Sequence, residues 1–457
     1  MKFNCREETM EKSNRNKITA AFDTVSFVAL CAVAAYCVVL GTSSILAFGG
    51  FSLWSVLIVV LLATALPAVL FRFKTACANP FMYSLLALAA YLAVEFFRTL
   101  QNGYTVGNII PAITGLAYFV IFPFVAAILS APKRTAMLSK VVMYAGFAMS
   151  VITVLFFVVF LFAKTPFRYI LNFFWQKEYI NFTYISDKLC RILFVTTPLQ
   201  LFSCAASVYF QIKSQRFSWW YAIVTALGLF CMFITFTRAL YLAALVTAAA
   251  VIVLLLIHSS REQKKKMAKH VLAAVLICVL LIAAFSLAAG YNYFGFAINR
   301  TVGTQSPMLP PSQSGDILQE QEDHYLNATQ VSDEYRQQIT VELREVISKN
   351  PVFGVGFVYQ LEIINRMPEY FFLDLWAKIG LVGLALYLLP FILSVIVAVR
   401  LTLQKRSMCS VLWVSVLAGM LTYSLFQPYM QVAPCVFLYA CTLAVVNSEQ
   451  TLDKNEV

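Results

Sequence analysis

The chain has 457 residues, 61% of them hydrophobic and only 12% charged, with a formal net charge of +12. Soluble domains carry about 25% charged residues, so this composition excludes a soluble globular enzyme. The basic residues lie in short connections between apolar runs, which assigns the positive charge to membrane orientation and argues against a nucleic-acid partner.

Apolar runs long enough to cross a hydrocarbon core of about 30 Å recur from end to end. A bilayer forces backbone polar groups to pair within the segment, so these runs are read as helices, and the alternation needed by a membrane barrel is absent. The tail 1–18 carries Arg6, Lys12, Arg15 and Lys17 with no small-residue cleavage site after it, so the first span is expected to act as the insertion signal. Spans are predicted over 19–42, 51–71, 81–100, 108–130, 141–163, 192–212, 217–237, 239–257, 271–291, 371–397, 409–426 and 430–447. The fold class is therefore all-α, a polytopic membrane helix bundle of about 12 transmembrane helices. It divides into a tail 1–18, a nine-helix region 19–291, a large extracytoplasmic loop 292–370 containing a short helix, a three-helix region 371–447 and a tail 448–457.

Threading twelve spans puts five basic groups on one side with the N-terminus. They are Arg72 and Lys74; Lys133, Arg134 and Lys140; Lys213 and Arg216; Arg261, Lys264, Lys265, Lys266 and Lys269; and Arg400, Lys405 and Arg406. The positive-inside rule makes that side cytoplasmic, giving a multi-pass protein of the cytoplasmic membrane with both termini inside. Two long segments then lie outside. In 164–191, Phe167, Arg168, Tyr169, Phe173, Phe174 and Trp175 suit the membrane interface.

In 292–370, Arg300, Arg336, Arg344, Lys349 and Arg366 stand against ten acidic residues. Within it, 301–331 is rich in Pro, Ser and Gln and reads as a loop. A helix is predicted over 332–349: Ser332 is its N-cap, Asp333 and Glu334 complement its positive end, and Tyr335, Ile339, Leu343 and Val346 form one apolar stripe. Asn350-Pro351 stops it, and Gly354 and Gly356 permit a tight turn or a close backbone approach. The eleven cysteines lack any Cys-x-x-Cys pair and the three histidines do not cluster, so no disulfide, metal site or cofactor is expected.

Three features carry chemistry. Arg238, in Thr235-Phe236-Thr237-Arg238, sits at the outer junction of two consecutive spans, where a guanidinium either binds a ligand, lines a wet cavity or snorkels to headgroups. Arg336 opens the outer helix and is otherwise part of a solvated face. Before the tenth span, Glu369 could take a proton from a hydroxyl, while Asp374 and Lys378, four apart on one helix face, are expected to pair.

In this order and spacing the residues resemble the O-antigen ligase and O-antigen polymerase family of bacterial polysaccharide assembly, over roughly 225–390. The resemblance rests on Thr237-Arg238 at the start of a late span and on Arg336 fifteen residues before Pro351-Val-Phe-Gly354-Val-Gly356. It rests also on Gly380-Leu-Val-Gly383, eleven residues after Glu369-Tyr370, where the family usually has His-Asn. The resemblance implies transfer of a glycan from a polyprenyl diphosphate carrier to an acceptor sugar at the outer membrane face, by inverting displacement without metal or cofactor. It implies that Arg238 and Arg336 grip the diphosphate, since guanidinium groups hold phosphate oxygens with paired donors.

Glu369 would replace the family's His as base, the alternatives being His324 from the loop or no enzyme base at all. Free glutamate has a pKa of about 4.3 and serves at neutral pH only if burial raises it. The partners implied are a polyprenyl-diphosphate-linked oligosaccharide and membrane lipid, with the flippase and chain-length regulator of the same pathway as candidates. An O-antigen polymerase-like enzyme is the leading reading and an O-antigen ligase-like enzyme the alternative. A non-catalytic transporter or flippase of lipid-linked sugars is the rival class. The chain shows no internal repeat, and most of its charged residues lie at the ends of spans, with Asp23 and Glu95 as the exceptions.

Overall fold

The computed structural model describes residues 2–41, 46–48, 51–116, 118–131, 133–177, 179–186, 188–302, 334–359, 361, 370–405 and 409–454. Among them the chain is mostly helical. In order come α1 (Lys2–Val39), α2 (Leu53–Phe71), α3 (Phe73–Cys77), α4 (Pro80–Gln101), α5 (Val106–Thr114), α6 (Tyr118–Leu129), α7 (Arg134–Phe162) and α8 (Lys164–Gln176). Then follow α9 (Gln200–Lys213), α10 (Trp219–Phe233), α11 (Arg238–His258), α12 (Arg261–Ala289) and α13 (Tyr293–Val302). Helix α14 spans 334–349, and α15 (Phe371–Leu403), α16 (Cys409–Tyr423) and α17 (Ala433–Lys454) complete the series.

Among the described residues, eight helical segments are long and apolar enough to cross a membrane: Ala21–Val39, Leu53–Phe71, Pro80–Gln101, Val106–Leu129, Arg134–Phe162, Arg238–Ile257, Arg261–Ala289 and Phe371–Leu403. The other four predicted spans fall on α9, α10, α16 and α17. Of these, α9, α10 and α16 have 14, 15 and 15 residues. At 1.5 Å per residue they reach about 21–23 Å, short of the hydrocarbon core. The physical reason is position: nearly every residue of α16 from Cys409 to Leu421 and of α17 from Cys435 to Val446 is buried. A helix that is apolar all round and enclosed by neighbours need not match the lipid thickness.

The structure departs from an all-α reading in two hairpins, β1 (Ala47–Phe48) with β2 (Phe51–Ser52) and β3 (Ile180–Ser186) with β4 (Leu189–Phe194). The span predicted over 192–212 therefore opens as a strand, passes through a 3₁₀ turn at Thr197–Leu199 and becomes helix only at Gln200. The interfacial reading of 164–191 divides likewise. Residues 164–176 form α8, which buries Phe167 and exposes Tyr169, Phe173 and Trp175, and the rest forms the hairpin. The fourth span is interrupted between α5 and α6, near Pro111 and Gly115.

Local chemistry sets several helix starts. Asn79 accepts from the Met82 amide and Pro80 takes the first turn of α4. Ser260 and Gln263 form a reciprocal capping box on α12, and Gly290 closes that helix in the left-handed conformation.

Long-range polar contacts sort the bundle into two ends. At one, Arg72 pairs with Asp23, the Arg134 guanidinium donates to the Asp23 carbonyl at 3.1 Å, Lys266 donates to the carbonyls of Ser214 and Gln215, and the Ser410 amide donates to Glu449. At the other, the Tyr179 hydroxyl donates to the Val39 carbonyl, Tyr429 to the Val195 carbonyl, Gln431 to Asp374 and Arg98 to the Gly354 carbonyl. The functional candidates collect at this second end.

Candidate functional site

Arg238 is the first residue of α11 and its side chain is exposed. The turn before it is built by its own hydroxyls. Thr235 Oγ1 donates to the Met232 carbonyl at 2.7 Å and accepts from the Thr237 amide at 3.3 Å, and Thr237 Oγ1 donates to the Thr235 carbonyl at 3.1 Å. Between them Phe236 sits at φ +48° with its side chain fully buried. A bulky residue in the left-handed region costs on the order of 1–3 kcal/mol and persists only where its surroundings over-determine it. Here the ring is locked edge-on against Phe296 at 5.0 Å and against Phe233, and is stacked on Tyr293. The turn points the chain so that a 21-residue helix begins with a guanidinium at its positive end.

A second arginine meets this junction. Arg191 on β4 donates from Nε to the Thr235 carbonyl at 3.2 Å and from Nη2 to Thr237 Oγ1 at 3.3 Å. The Tyr241 hydroxyl donates to the Phe233 carbonyl at 2.7 Å, and Phe296 of α13 packs edge-on against Phe236. In the sequence Arg191 is the last residue of the segment 164–191 and Arg300 one of the charges of 292–370. The available signal was a pair of β-forming runs around 180–186 and 189–194 separated by two residues, which reads as a hairpin.

The predicted turn at Gly354 and Gly356 has a definite partner. Helix α15 is broken at Gly380 (φ +66°, ψ −175°). The break would leave backbone groups unpaired at membrane depth, at several kcal/mol apiece. The loop fills it: Val355 N donates to the Ala377 carbonyl (2.8 Å), Gly356 N to that of Lys378 (3.0 Å), Leu381 N to that of Pro351 (3.0 Å) and Val382 N to that of Val352 (3.1 Å). Helix α4 fastens the same segment. Arg98, paired with Glu95 at 2.9 Å, donates to the Gly354 carbonyl at 2.5 Å. Tyr91 donates to the Ile379 carbonyl at 2.8 Å, and Thr99 Oγ1 accepts from the Phe357 amide at 3.1 Å. The glycines therefore serve a backbone joint, and the amides after the break are occupied by the loop.

Asp374 is buried and accepts from three side chains: Tyr359 hydroxyl at 2.6 Å, Lys378 Nζ at 2.7 Å and Gln431 Nε2 at 2.8 Å. The expected pair with Lys378 is present, inside a larger clamp joining α15, the outer loop and the segment before α17. Burial, reinforced by the Asp374 charge, pushes the Tyr359 phenol above its usual range, so it stays protonated and donates. An aspartate with three donors in place is a structural anchor and not a spare base.

The predicted stripe of α14 is buried as expected. Ile339, Leu343 and Val346 pack with Tyr335, Leu373, Trp376 and Ala377, which seats α14 on the start of α15. Arg336 rides on this helix, half-buried, its carbonyl accepting from Thr340 Oγ1 at 2.8 Å. Arg238 and Arg336 thus stand on separate elements whose supports, α11 and α15, pack against each other. Glu369 and His324 lie outside the described residues, as does the loop 303–333.

Residues 223–388 match the family model described as O-antigen ligase. The matched stretch holds Arg238, Arg336, the Gly354–Gly380 joint and Asp374, and ends inside α15. No curated protein matches the chain.

Proposed function

From residues 223–388, which belong to the O-antigen ligase/polymerase family of membrane glycosyltransferase-like enzymes, we propose that the chain extends a surface polysaccharide as an O-antigen polymerase-like glycosyltransferase. The observation that carries this is Arg238, mounted on a strained turn held by its own hydroxyls at the end of a helix long and apolar enough to cross a membrane. The acceptor is a lipid-linked repeat unit and the donor is the growing chain on its polyprenyl diphosphate. The acceptor hydroxyl attacks the anomeric carbon, the bond from that carbon to the diphosphate oxygen breaks, and polyprenyl diphosphate leaves. The anomeric configuration inverts, and Glu369 receives the hydroxyl proton.

Negative charge grows on the leaving diphosphate as the bond breaks. Fixed guanidinium groups at a site of low dielectric stabilise that charge without reorganising. Arg238 supplies one such group and Arg336, on the helix seated over α15, supplies the second. The reaction lies at the outer face of the cytoplasmic membrane, with twelve crossings, both termini inside and 292–370 outside. The sorting of Asp23, Arg72, Arg134 and Lys266 to the end opposite Arg98 and Asp374 supports that orientation. The flippase and chain-length regulator of the same pathway are the protein partners this role calls for.

The description of the matching family favours one second reading, ligation of a finished chain to a lipid or protein acceptor. A deletion strain complemented with wild type, Arg238→Ala or Glu369→Gln separates the readings through its glycans. Polymerase action predicts that both variants lose the length ladder while single repeat units persist. Full-length chains accumulating on lipid carrier would assign the ligase reaction instead. Lipid-linked units confined to the inner leaflet would assign transport, and a wild-type ladder from normally expressed Arg238→Ala would remove the diphosphate role. A normal ladder from Glu369→Gln would remove Glu369 from the mechanism.

A further inference from the structure

We infer that Arg191 is a positioning residue for Arg238, and that the β3–β4 hairpin is the fixed support from which it acts. The inference rests on the reading of Arg238 as a diphosphate ligand and adds what holds that residue in place.

Strand alternation brings Arg191 to this task. Cys190, Ile192 and Phe194 of β4 are buried in the apolar cluster that contains Phe236, while Arg191 alternates with them and stays half-buried. One edge of its guanidinium, Nε and Nη2, donates to the Thr235 carbonyl and to Thr237 Oγ1. These two acceptors belong together, because the Thr237 hydroxyl gives its own proton to the Thr235 carbonyl at 3.1 Å. Its lone pairs are then left for Arg191. The acceptors flank Phe236, the residue held at φ +48°. On the far side, the Leu240 and Tyr241 amides donate to the Thr237 carbonyl at 3.0 and 3.2 Å, so Thr237 also anchors the first turn of α11. Moving Thr237 moves Arg238, the next residue in the chain.

The support itself is tied down away from the junction. At the start of the hairpin the Tyr179 hydroxyl donates to the Val39 carbonyl of α1. At its end the Val195 carbonyl accepts from Tyr429 at 2.7 Å, and in its turn the Lys188 carbonyl accepts from Tyr293 of α13 at 2.6 Å. A bulky residue stays in the left-handed region only where its surroundings over-determine it, and Arg191 is the part of those surroundings that grips the backbone on both sides of Phe236. Lysine offers a point charge without the planar fork, so it cannot reproduce the two-point hold. Release of the turn would let Arg238 leave its reacting geometry, and a misplacement of about 1 Å can cost about a hundredfold in rate.

The test uses the purified full chain in vesicles with a lipid-linked oligosaccharide repeat unit. It reads polyprenyl diphosphate release and amide hydrogen exchange. Arg191→Gln is expected to lower kcat about ten- to a hundredfold, with KM within about twofold of wild type. Exchange at Thr237, Leu240 and Tyr241 should quicken about tenfold, the scale of a lost hydrogen bond to a charged group. Exchange at the joint between Gly354 and Gly380 should stay at the wild-type rate. Arg191→Lys should be as slow as Arg191→Gln. Thr237→Val removes the shared acceptor, so adding it to Arg191→Gln should slow turnover by no more than about twofold beyond the slower single variant. Wild-type kcat in Arg191→Lys beside a slow Arg191→Gln, or a raised KM at unchanged kcat, would overturn the positioning role and assign Arg191 a direct charge contact with substrate. Losses that multiply in the double variant would overturn the route through Thr237. Faster exchange at the Gly354 joint as well would overturn it in favour of a general packing role. If Arg191→Gln does not fold, Arg191→Lys decides the matter by the same two readings. Wild-type turnover by Arg191→Gln, with turnover lost in Arg238→Ala, would overturn the inference and leave the proposed reaction standing. Wild-type turnover by Arg238→Ala would overturn the diphosphate reading beneath it.

Discussion

Gly380→Ala is expected to destabilise the folded protein by more than about 4 kcal/mol, a cost reserved for a few mechanisms of failure. Gly380 combines φ +66° with ψ −175°, a region open in practice only to glycine, which alone costs another residue on the order of 1–3 kcal/mol. A Cβ there would also stand 2.2 Å from the Val352 carbonyl oxygen and 2.5 Å from the Gly354 nitrogen. Both are fixed backbone atoms: the Val352 carbonyl accepts one of the four hydrogen bonds that fill the break in α15, and the Gly354 amide donates to the Asn350 carbonyl at 2.8 Å. Relieving the clash pulls the loop out and leaves those groups unpaired at membrane depth.

Gly354→Ala should behave alike, since its Cβ would meet the Lys378 carbonyl oxygen at 2.4 Å. Gly103→Ala is the control: φ is +90° but no atom lies within 4 Å, so only the conformational cost of about 1–3 kcal/mol applies. Unfolding midpoints in detergent and membrane yield read these differences. A Gly380→Ala protein within about 1 kcal/mol of wild type would show that loop and helix break are not one joint.

Asp374→Asn is expected to cost about 3–5 kcal/mol, the range for removing one partner of a buried ion pair. The amide still accepts from Tyr359 or Gln431, but Lys378, with only 13% of its side chain exposed, is left charged beside a neutral group. Asp374→Asn with Lys378→Met should regain part of that loss, because the unpaired charge is gone. The double-mutant cycle, read by thermal unfolding, should return a coupling of 0.5–3 kcal/mol in magnitude. Additive losses would show that the two side chains do not share one clamp. Stability equal to wild type in Asp374→Asn would contradict the anchor role.

The parts legible in the sequence are those set by local pattern. The α14 stripe of Ile339, Leu343 and Val346, the stop at Asn350-Pro351 and the i,i+4 pair of Asp374 and Lys378 follow from helix geometry alone. The parts that were not legible depend on contacts distant in the chain. The Gly-x-x-Gly of Gly380 and Gly383 looks like close packing inside a span, and only the incoming segment 351–356 shows that the first glycine is a break. Apolar period does not separate a buried strand from a buried helix over a short run, so residues 192–194 of β4 read as the start of a span and Arg191 as the end of the segment before it. Helix α13 reaches the turn before Arg238 through aromatic contacts with Phe236, whose left-handed conformation no propensity would suggest. Thr99 and Arg98, distant by sequence, hold the outer loop for the same kind of reason.

The most direct test of the account uses the purified protein, a lipid-linked oligosaccharide repeat unit in vesicles and no nucleotide sugar. Wild type is expected to build a ladder of chains on lipid carrier while releasing polyprenyl diphosphate, one for each bond formed. Arg238→Ala, folded to the same midpoint, is expected to slow that release about 10²–10³-fold, the scale for removing one preorganised electrostatic donor. Release and ladder at the wild-type rate from Arg238→Ala would contradict the claim that this residue stabilises the departing diphosphate.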